Sequence, residues 1–176
     1  MERRPERDVA IRAAEPEDAA AVAALLGQLG YPADEAAIPA RLRAIEAAGG
    51  AVLLATIDDG AAAGLVGVQA FPVLHAPAPV AYLTALVVAP PARGRGVGLA
   101  LVEAAERWAR AAGCGRLTVT SGEHRDDAHA FYPRVGLPYT GRRFARSLDD
   151  APPASPGRRA TDAASADRLS PRPVRE

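Results

Sequence analysis

The spacing of apolar positions along the chain predicts helices and strands in alternation. A short strand at residues 9–12 precedes two helices, the first ending at Gly30 and the second running from Asp34 to about Ala48. A third helix opens at Gly96 and carries its apolar side chains along one stripe. The remaining apolar runs predict strands at residues 51–57, 64–73, 80–88, 116–121 and 139–148. This order indicates an α/β fold with a mixed, largely antiparallel sheet.

The stretch after the strand at residues 80–88 has the features of an anion-binding turn. The strand stops at two prolines, and a turn of Arg and Gly leads directly into the helix that opens at Gly96. Unpaired backbone N–H groups and the helix dipole favour an anion at such a helix N-terminus. Glycines allow the main chain to approach a phosphate closely, and Arg93 and Arg95 add charged donors. The turn is therefore interpreted as a pyrophosphate cradle, with an ordinary surface loop as the alternative.

The spacing of the glycines separates three kinds of phosphate-binding turn. A nucleoside-triphosphate P-loop ends in Gly-Lys-Ser/Thr, and the chain contains no lysine. A dinucleotide fingerprint requires a third glycine where this chain has Leu99. The remaining pattern is Arg-x-x-Gly-x-Gly, formed by Arg93, Gly96 and Gly98.

A second motif follows the glycine-rich turn, about 20 residues further along the chain. The strand at residues 116–121 leads to Ala128-x-x-Phe131-Tyr132 and then to a turn containing Gly136. Together the two motifs, over about residues 80–148, resemble the coenzyme A-binding part of the GNAT superfamily of N-acetyltransferases. The resemblance implies a GNAT-like, mostly antiparallel twisted sheet with helices on both faces. It also implies a splayed parallel strand pair, with acetyl-CoA between the two strands.

The resemblance assigns roles in cofactor binding. The main chain of Leu86 and Val88 would pair with the pantetheine arm, and the amides from Arg93 to Leu99 would hold the pyrophosphate. Arg125 stands where the family frequently has an asparagine, so it would either reach a cofactor phosphate or pair locally with Asp126 or Asp127. The residues expected to bind the cofactor are Leu86, Val87, Val88, Arg93, Gly94, Arg95, Gly96, Val97, Gly98, Leu99 and Arg125.

The resemblance also assigns a general acid. Tyr132 matches the family position that donates a proton to the departing sulfur, and a phenol is protonated at neutral pH. The base is left open, because no carboxylate occupies the strand before the cofactor loop. Glu123 and His124 are the candidates, with a water chain to solvent as the alternative.

Composition limits the partners and the location. Lys+Arg and Asp+Glu both number 21, so no overall attraction to nucleic acid or an anionic membrane is expected. The single cysteine, Cys114, cannot form an internal disulfide, and from the sequence we expect neither a secretion signal nor a membrane span. We expect a cytoplasmic protein with a flexible N-terminus at residues 1–8, one domain at 9–148 and a disordered tail at 149–176.

Two functions remain open at this point. The first is an acetyl-CoA-dependent N-acetyltransferase that acts on a primary amine of a small molecule or peptide by direct transfer. The second is a non-catalytic acyl-CoA-binding regulatory module. No metal is expected, since three histidines and one cysteine offer no ligand cluster. The resemblance to the family also makes a homodimer possible, although the sequence does not indicate an interface.

Overall fold

The strands that the structure describes form one sheet. The structure, a computed structural model, describes residues 9–58 and 60–145. Within these ranges, strands that are neighbours along the chain are also neighbours in the sheet. The first four strands pair antiparallel, whereas the last two run parallel. The mixed, mostly antiparallel sheet predicted from the sequence is thus confirmed. The strands are β1 (Ala10–Ala13), β2 (Gly50–Ile57), β3 (Ala61–Phe71), β4 (Val80–Val88) and β5 (Arg116–Val119).

The helices lie close to where the apolar periodicity predicts them. The first ends at Leu29 and is capped by Gly30, whose φ of 97° is the left-handed conformation that glycine adopts freely. Short 3₁₀ turns precede the first and second helices, so the second α-helix begins at Ile38 instead of at the predicted Asp34. The helices are α1 (Ala19–Leu29), α2 (Ile38–Ala47), α3 (Val97–Ala111) and α4 (Asp126–Arg134).

Helices cover both faces of the sheet, as predicted. Consecutive residues of a strand point to opposite faces, and Leu65 and Val66 of β3 belong to two different clusters of buried side chains. The cluster of Leu65 includes Leu25 of α1 and Ile38 of α2. The cluster of Val66 includes Leu101 and other residues of α3. Burial on both faces explains why β3 and β4 read as nearly continuous apolar runs.

The parallel pair of strands separates partway along β4. Pairing with β5 covers only Val80–Leu83, opposite Arg116–Val119. A register shift in the pairing of β3 with β4 leaves Thr84 without a direct partner at the point where β5 ends. From there to Val88, the edge of β4 that faces away from β3 is not covered by a strand of the described residues.

The predicted final strand at residues 139–148 is wrong for the part that the structure describes. Residues 139–145 form no strand, and β5 has no second neighbour there. Tyr139 and Phe144 are exposed, so this segment lacks the buried face that would fix it on a sheet. Gly141–Glu176 is a separate unit, of which only residues 141–145 are described. Residues 146–148, and the expected flexible or disordered ends at 1–8 and 149–176, lie outside the described residues.

Candidate active site

The turn between β4 and α3 presents a row of unpaired amides. A 3₁₀ turn ends with the Arg93 N–H donating to the Pro90 carbonyl at 3.3 Å, and the helix begins with the Ala100 N–H donating to the Gly96 carbonyl at 3.0 Å. Within the described structure, the backbone N–H groups of residues 94–99 between these two bonds have no acceptor. Gly94 (φ 71°) and Gly96 (φ 87°) adopt left-handed backbone conformations that shape this turn.

The free edge of β4 adds further main-chain groups. The Ala89 N–H donates to the Ala63 carbonyl at 2.8 Å, so alternate residues of β4 direct their backbone groups toward β3. The intervening residues Leu86 and Val88 therefore direct theirs to the other side, where β5 has already ended. The Val88 carbonyl accepts a hydrogen bond from Arg93 Nε at 3.3 Å.

These groups border a cleft of about 410 Å³. Its wall consists of the end of β4, the turn, the start of α3 and one face of α4, with one residue from α1. Ten of the eleven residues predicted to bind the cofactor line it, and Arg95 does not. The lining residues are Gln28, Leu86, Val87, Val88, Ala92, Arg93, Gly94, Gly96, Val97, Gly98, Leu99, Arg125, Asp127, Ala128, Phe131, Tyr132 and Arg134.

The Arg95 side chain turns away from the cleft. Its Nη2 donates to both carboxylate oxygens of Asp58, each at 2.8 Å. The sequence suggested Arg95 as a donor to a pyrophosphate, but the structure places its guanidinium beside the turn between β2 and β3. The sequence of a loop shows which arginines can donate hydrogen bonds, but it does not show which acceptor each guanidinium reaches.

Tyr132 lies in the cleft with its phenol partly buried. Burial raises the pKa of Tyr132, Asp127 raises it further, and Arg125 opposes both. The hydroxyl therefore keeps its proton at neutral pH and can donate it. The ring packs edge-on against Phe131, with centroids 5.6 Å apart and planes at 62°. Tyr132, with a phenol that is protonated at neutral pH, thus lines the same cleft as the end of β4.

The base candidates lie elsewhere. Glu123 and His124 are exposed and do not line the cleft. The carboxylate that does line it is Asp127, whose side chain is 71% exposed and lies 3.8 Å from Arg125 Nε. The sequence interpretation missed Asp127 as well as Gln28. Acidic residues in the first turn of a helix are common for electrostatic reasons, so Asp127 carried no separate signal.

Two kinds of feature are absent from the described part of the chain. It holds no group of three or more His, Cys, Asp or Glu side chains arranged to bind a metal ion. None of its helices is long and apolar enough to cross a membrane.

Comparison with known proteins identifies the class. The model of the acetyltransferase (GNAT) family matches residues 20–137. Aminoglycoside N(6′)-acetyltransferase type 1 of Stenotrophomonas maltophilia is 36% identical over 138 residues, which is 75% of this chain and 88% of that protein. Aminoalkylphosphonate N-acetyltransferase of Salmonella typhimurium is 33% identical over 92 residues, 52% of this chain and 60% of that protein.

A solved structure agrees with the sequence comparisons. The aminoglycoside N-acetyltransferase AAC(6′)-Iy, in complex with the bisubstrate analogue CoA-S-monomethyl-acetylneamine, superposes with a TM-score of 0.68 at 25% identity. The match covers 80% of this chain and 98% of that chain. The chain therefore belongs to the GNAT acetyltransferase family, and it is an N-acetyltransferase. The resemblance found in the sequence is confirmed.

Proposed function

We propose that this protein transfers an acetyl group from acetyl-CoA to a primary amine by direct transfer within a ternary complex. The observation that carries the proposal is the row of unpaired amides at residues 94–99, all of which except that of Arg95 belong to residues lining the cleft at the positive end of α3. Such donors are complementary to a diphosphate, since each can bind one of its oxygens and the helix dipole favours the charge.

The free edge of β4 supports the same ligand. Backbone groups of Leu86 and Val88 face the cleft without a strand partner, and an extended ligand with two amides can satisfy them by strand addition. Pantetheine is such a ligand. Arg93, Arg125 and Arg134 also line the cleft and supply positive charge against the phosphates. The side chains and the main chain present thus fit coenzyme A.

In the proposed reaction Tyr132 is the general acid. The neutral amine nitrogen attacks the thioester carbonyl carbon, and the positively charged nitrogen of the resulting intermediate loses a second proton to solvent. The C–S bond then breaks, and the Tyr132 hydroxyl donates its proton to the departing sulfur. Solvent then returns a proton to the phenolate. A thiol has a pKa near 8.5, so this proton transfer assists a leaving group that is already moderately stable as an anion.

We propose that the amine loses its proton to solvent water. Glu123 and His124 do not reach the cleft, and the one carboxylate that lines it is largely exposed. Deprotonating an amine near neutral pH costs only about a few kcal/mol, which does not require a buried base.

The named relatives favour a small-molecule acceptor. The first is named for aminoglycosides and the second for aminoalkylphosphonates, both of which are small amines. The same names support catalysis over a purely regulatory acyl-CoA-binding role. We therefore propose a small-molecule amine as the acceptor.

A thiol-release assay tests the proposal. Purified protein is titrated with CoA by calorimetry and then incubated with acetyl-CoA and a panel of aminoglycosides, aminoalkylphosphonates, polyamines and amino acids. We expect CoA binding and amine-dependent release of free thiol with at least one class. Binding of CoA without turnover on the whole panel would favour the regulatory role instead, and no binding would contradict both.

A further inference from the structure

An ion pair connects the phosphate-binding turn to a distant hairpin. Arg95 Nη2 donates to Asp58 Oδ1 and Oδ2, both at 2.8 Å. Arg95 lies between Gly94 and Gly96, whereas Asp58 follows β2 at the turn into β3. The Arg95 side chain is 19% exposed and the Asp58 side chain 61%, so water and salt reach this pair mainly from the carboxylate side.

The turn has few other means of holding its shape. Gly94 and Gly96 are the residues with the most backbone freedom, and both adopt positive φ here. In the described structure, the Arg95 side chain makes the one hydrogen bond or ion pair that ties Gly94 and Arg95 to another element. The turn would otherwise lose considerable conformational entropy when a ligand ordered it.

Both partners of the pair are held in restricted arrangements. Asp58 has a φ of 51°, which is unusual for a residue other than glycine, although aspartate tolerates it better than most. Arg95 Nε is buried, and within the described residues it has no acceptor. Among the described residues, the Asp58 carboxylate is thus the group that pairs with the charge of this mostly buried guanidinium.

We propose that Arg95 and Asp58 are positioning residues for the donor substrate. Their pair fixes the turn so that the amides of residues 94–99 already point into the cleft before a diphosphate arrives. The inference rests on the proposed function, since it assigns a purpose to the pair at the same site. A preorganised turn binds more tightly because less of the interaction free energy is used to order it.

If Arg95 instead contacted a phosphate directly, an Asp58 variant would change the affinity for CoA in the opposite direction. If Asp58 merely competed with the ligand for Arg95, removing the carboxylate would release the guanidinium and strengthen CoA binding. If the pair positions the turn, removing either partner weakens binding. The two cases are therefore separated by Asp58 variants, whereas Arg95 variants weaken binding in both.

The experiment compares Asp58→Gly, Arg95→Gln and the double variant with the unaltered protein by calorimetric titration with CoA. Glycine at position 58 accepts the positive φ, so the change removes the carboxylate without adding strain. Asp58→Asn serves in its place if the glycine variant does not fold, as judged by thermal unfolding. Glu46→Gln, which neutralises an exposed carboxylate at the C-terminal end of α2, is the matched control.

We expect each single variant to raise the Kd of CoA about three- to tenfold, the range for losing one charge-assisted contact. The double variant should add nothing further, because both changes break the same pair. Binding of pantetheine, which lacks the diphosphate, should be unchanged in an NMR titration.

A Kd for CoA that is unchanged or lower in Asp58→Gly overturns the positioning role. A loss of pantetheine binding equal to the loss of CoA binding also overturns it, since the pair would then be only structural. Failure of the unaltered protein to bind CoA overturns the proposed function itself.

Discussion

Gly98, in the first turn of α3, lies against the edge of the Phe131 ring on α4. A Cβ at Gly98 would stand 3.1 Å from Phe131 Cζ and 3.2 Å from Cε2. Phe131 in turn packs against Tyr132, so the absence of a side chain at Gly98 allows α4 to bring the phenol to the cleft. The two motifs recognised in the sequence are thus in direct contact at the site.

Replacing Gly98 with alanine should weaken CoA binding several-fold with little change in stability. The Phe131 ring must shift by a few tenths of an ångström, which opposes the gain of about 0.5–1 kcal/mol from helix propensity. Gly27→Ala in α1 is the matched control, because nothing lies within 4 Å of its Cβ and only the propensity gain remains. Calorimetry and urea unfolding measure the two effects. Undiminished CoA affinity in Gly98→Ala would show that the contact does not shape the cleft.

Gly96→Ala should abolish most CoA binding, whereas Gly113→Ala should leave it intact. Both glycines have positive φ (87° and 72°), and in both cases a Cβ meets nothing within 4 Å. Each change therefore costs a similar conformational strain of about 1–2 kcal/mol. Of these two glycines, only Gly96 belongs to the turn of unpaired amides. A calorimetric titration with CoA should therefore distinguish the two variants even if their thermal stability is equal. Equal loss of CoA binding in both would contradict a specific role for the turn.

Tyr132→Phe should lower kcat by about 10- to 100-fold and leave the Kd of CoA nearly unchanged, because the proposed general acid acts in the chemical step and not in cofactor binding. Tyr139→Phe is the control, since Tyr139 is 75% exposed and does not line the cleft. Steady-state thiol release with an accepted amine gives the comparison. Full turnover by Tyr132→Phe would remove the general-acid role.

The pH dependence follows from the same residue. Burial raises the pKa of Tyr132 above its ordinary value near 10, so the proton is retained throughout the neutral and mildly alkaline range. No loss of rate attributable to this group should therefore occur below about pH 10 in the pH–rate profile. A loss at lower pH that disappears in Tyr132→Phe would contradict the assignment.

Asp18 should stabilise the fold near neutral pH and lose this effect in acid. Its carboxylate accepts two bonds from Arg12, at 2.6 and 2.7 Å, and one from the Glu15 N–H at 2.8 Å. The bonds from Arg12 lower the pKa of Asp18, and its partial burial opposes them. Folding thus favours the charged form, so the contribution is present above the unfolded pKa near 4 and declines as the pH falls through the lower folded value.

Urea unfolding of Asp18→Asn measures this contribution. We expect a loss of about 1 kcal/mol at pH 7, since the Arg12 partner is half-exposed, and a smaller difference below about pH 3. Glu17→Gln removes a neighbouring exposed carboxylate and should have little effect. A difference between Asp18→Asn and the unaltered protein that does not change with pH would contradict the account.

The sequence predicts this site well where recognition depends on local backbone. Arg93, Gly96 and Gly98 specify a strand, a turn and a helix start within a few residues, and the structure places all three at the cleft. It predicts poorly where distant elements meet. Nothing near Arg95 in the sequence shows that its acceptor is Asp58, 37 residues away, and Gln28 of α1 reaches the cleft only through the packing of α1 on the sheet.

The error at residues 139–148 has a related cause. Apolar residues such as Tyr139 and Phe144 suggested a strand, but a strand also needs a neighbour whose unpaired groups it can satisfy. In the described part of the chain β5 ends at Val119 and has only β4 beside it. Local composition cannot show whether such a partner is available.

A crystal structure of the protein with bound coenzyme A is the most direct test of the central claim. We predict diphosphate oxygens at hydrogen-bond distance, about 2.7–3.2 Å, from backbone nitrogens within residues 94–99. The pantetheine arm should lie along the edge of β4 at Leu86 and Val88. A diphosphate held elsewhere, with these amides still unpaired or bonded to the protein, would contradict the account.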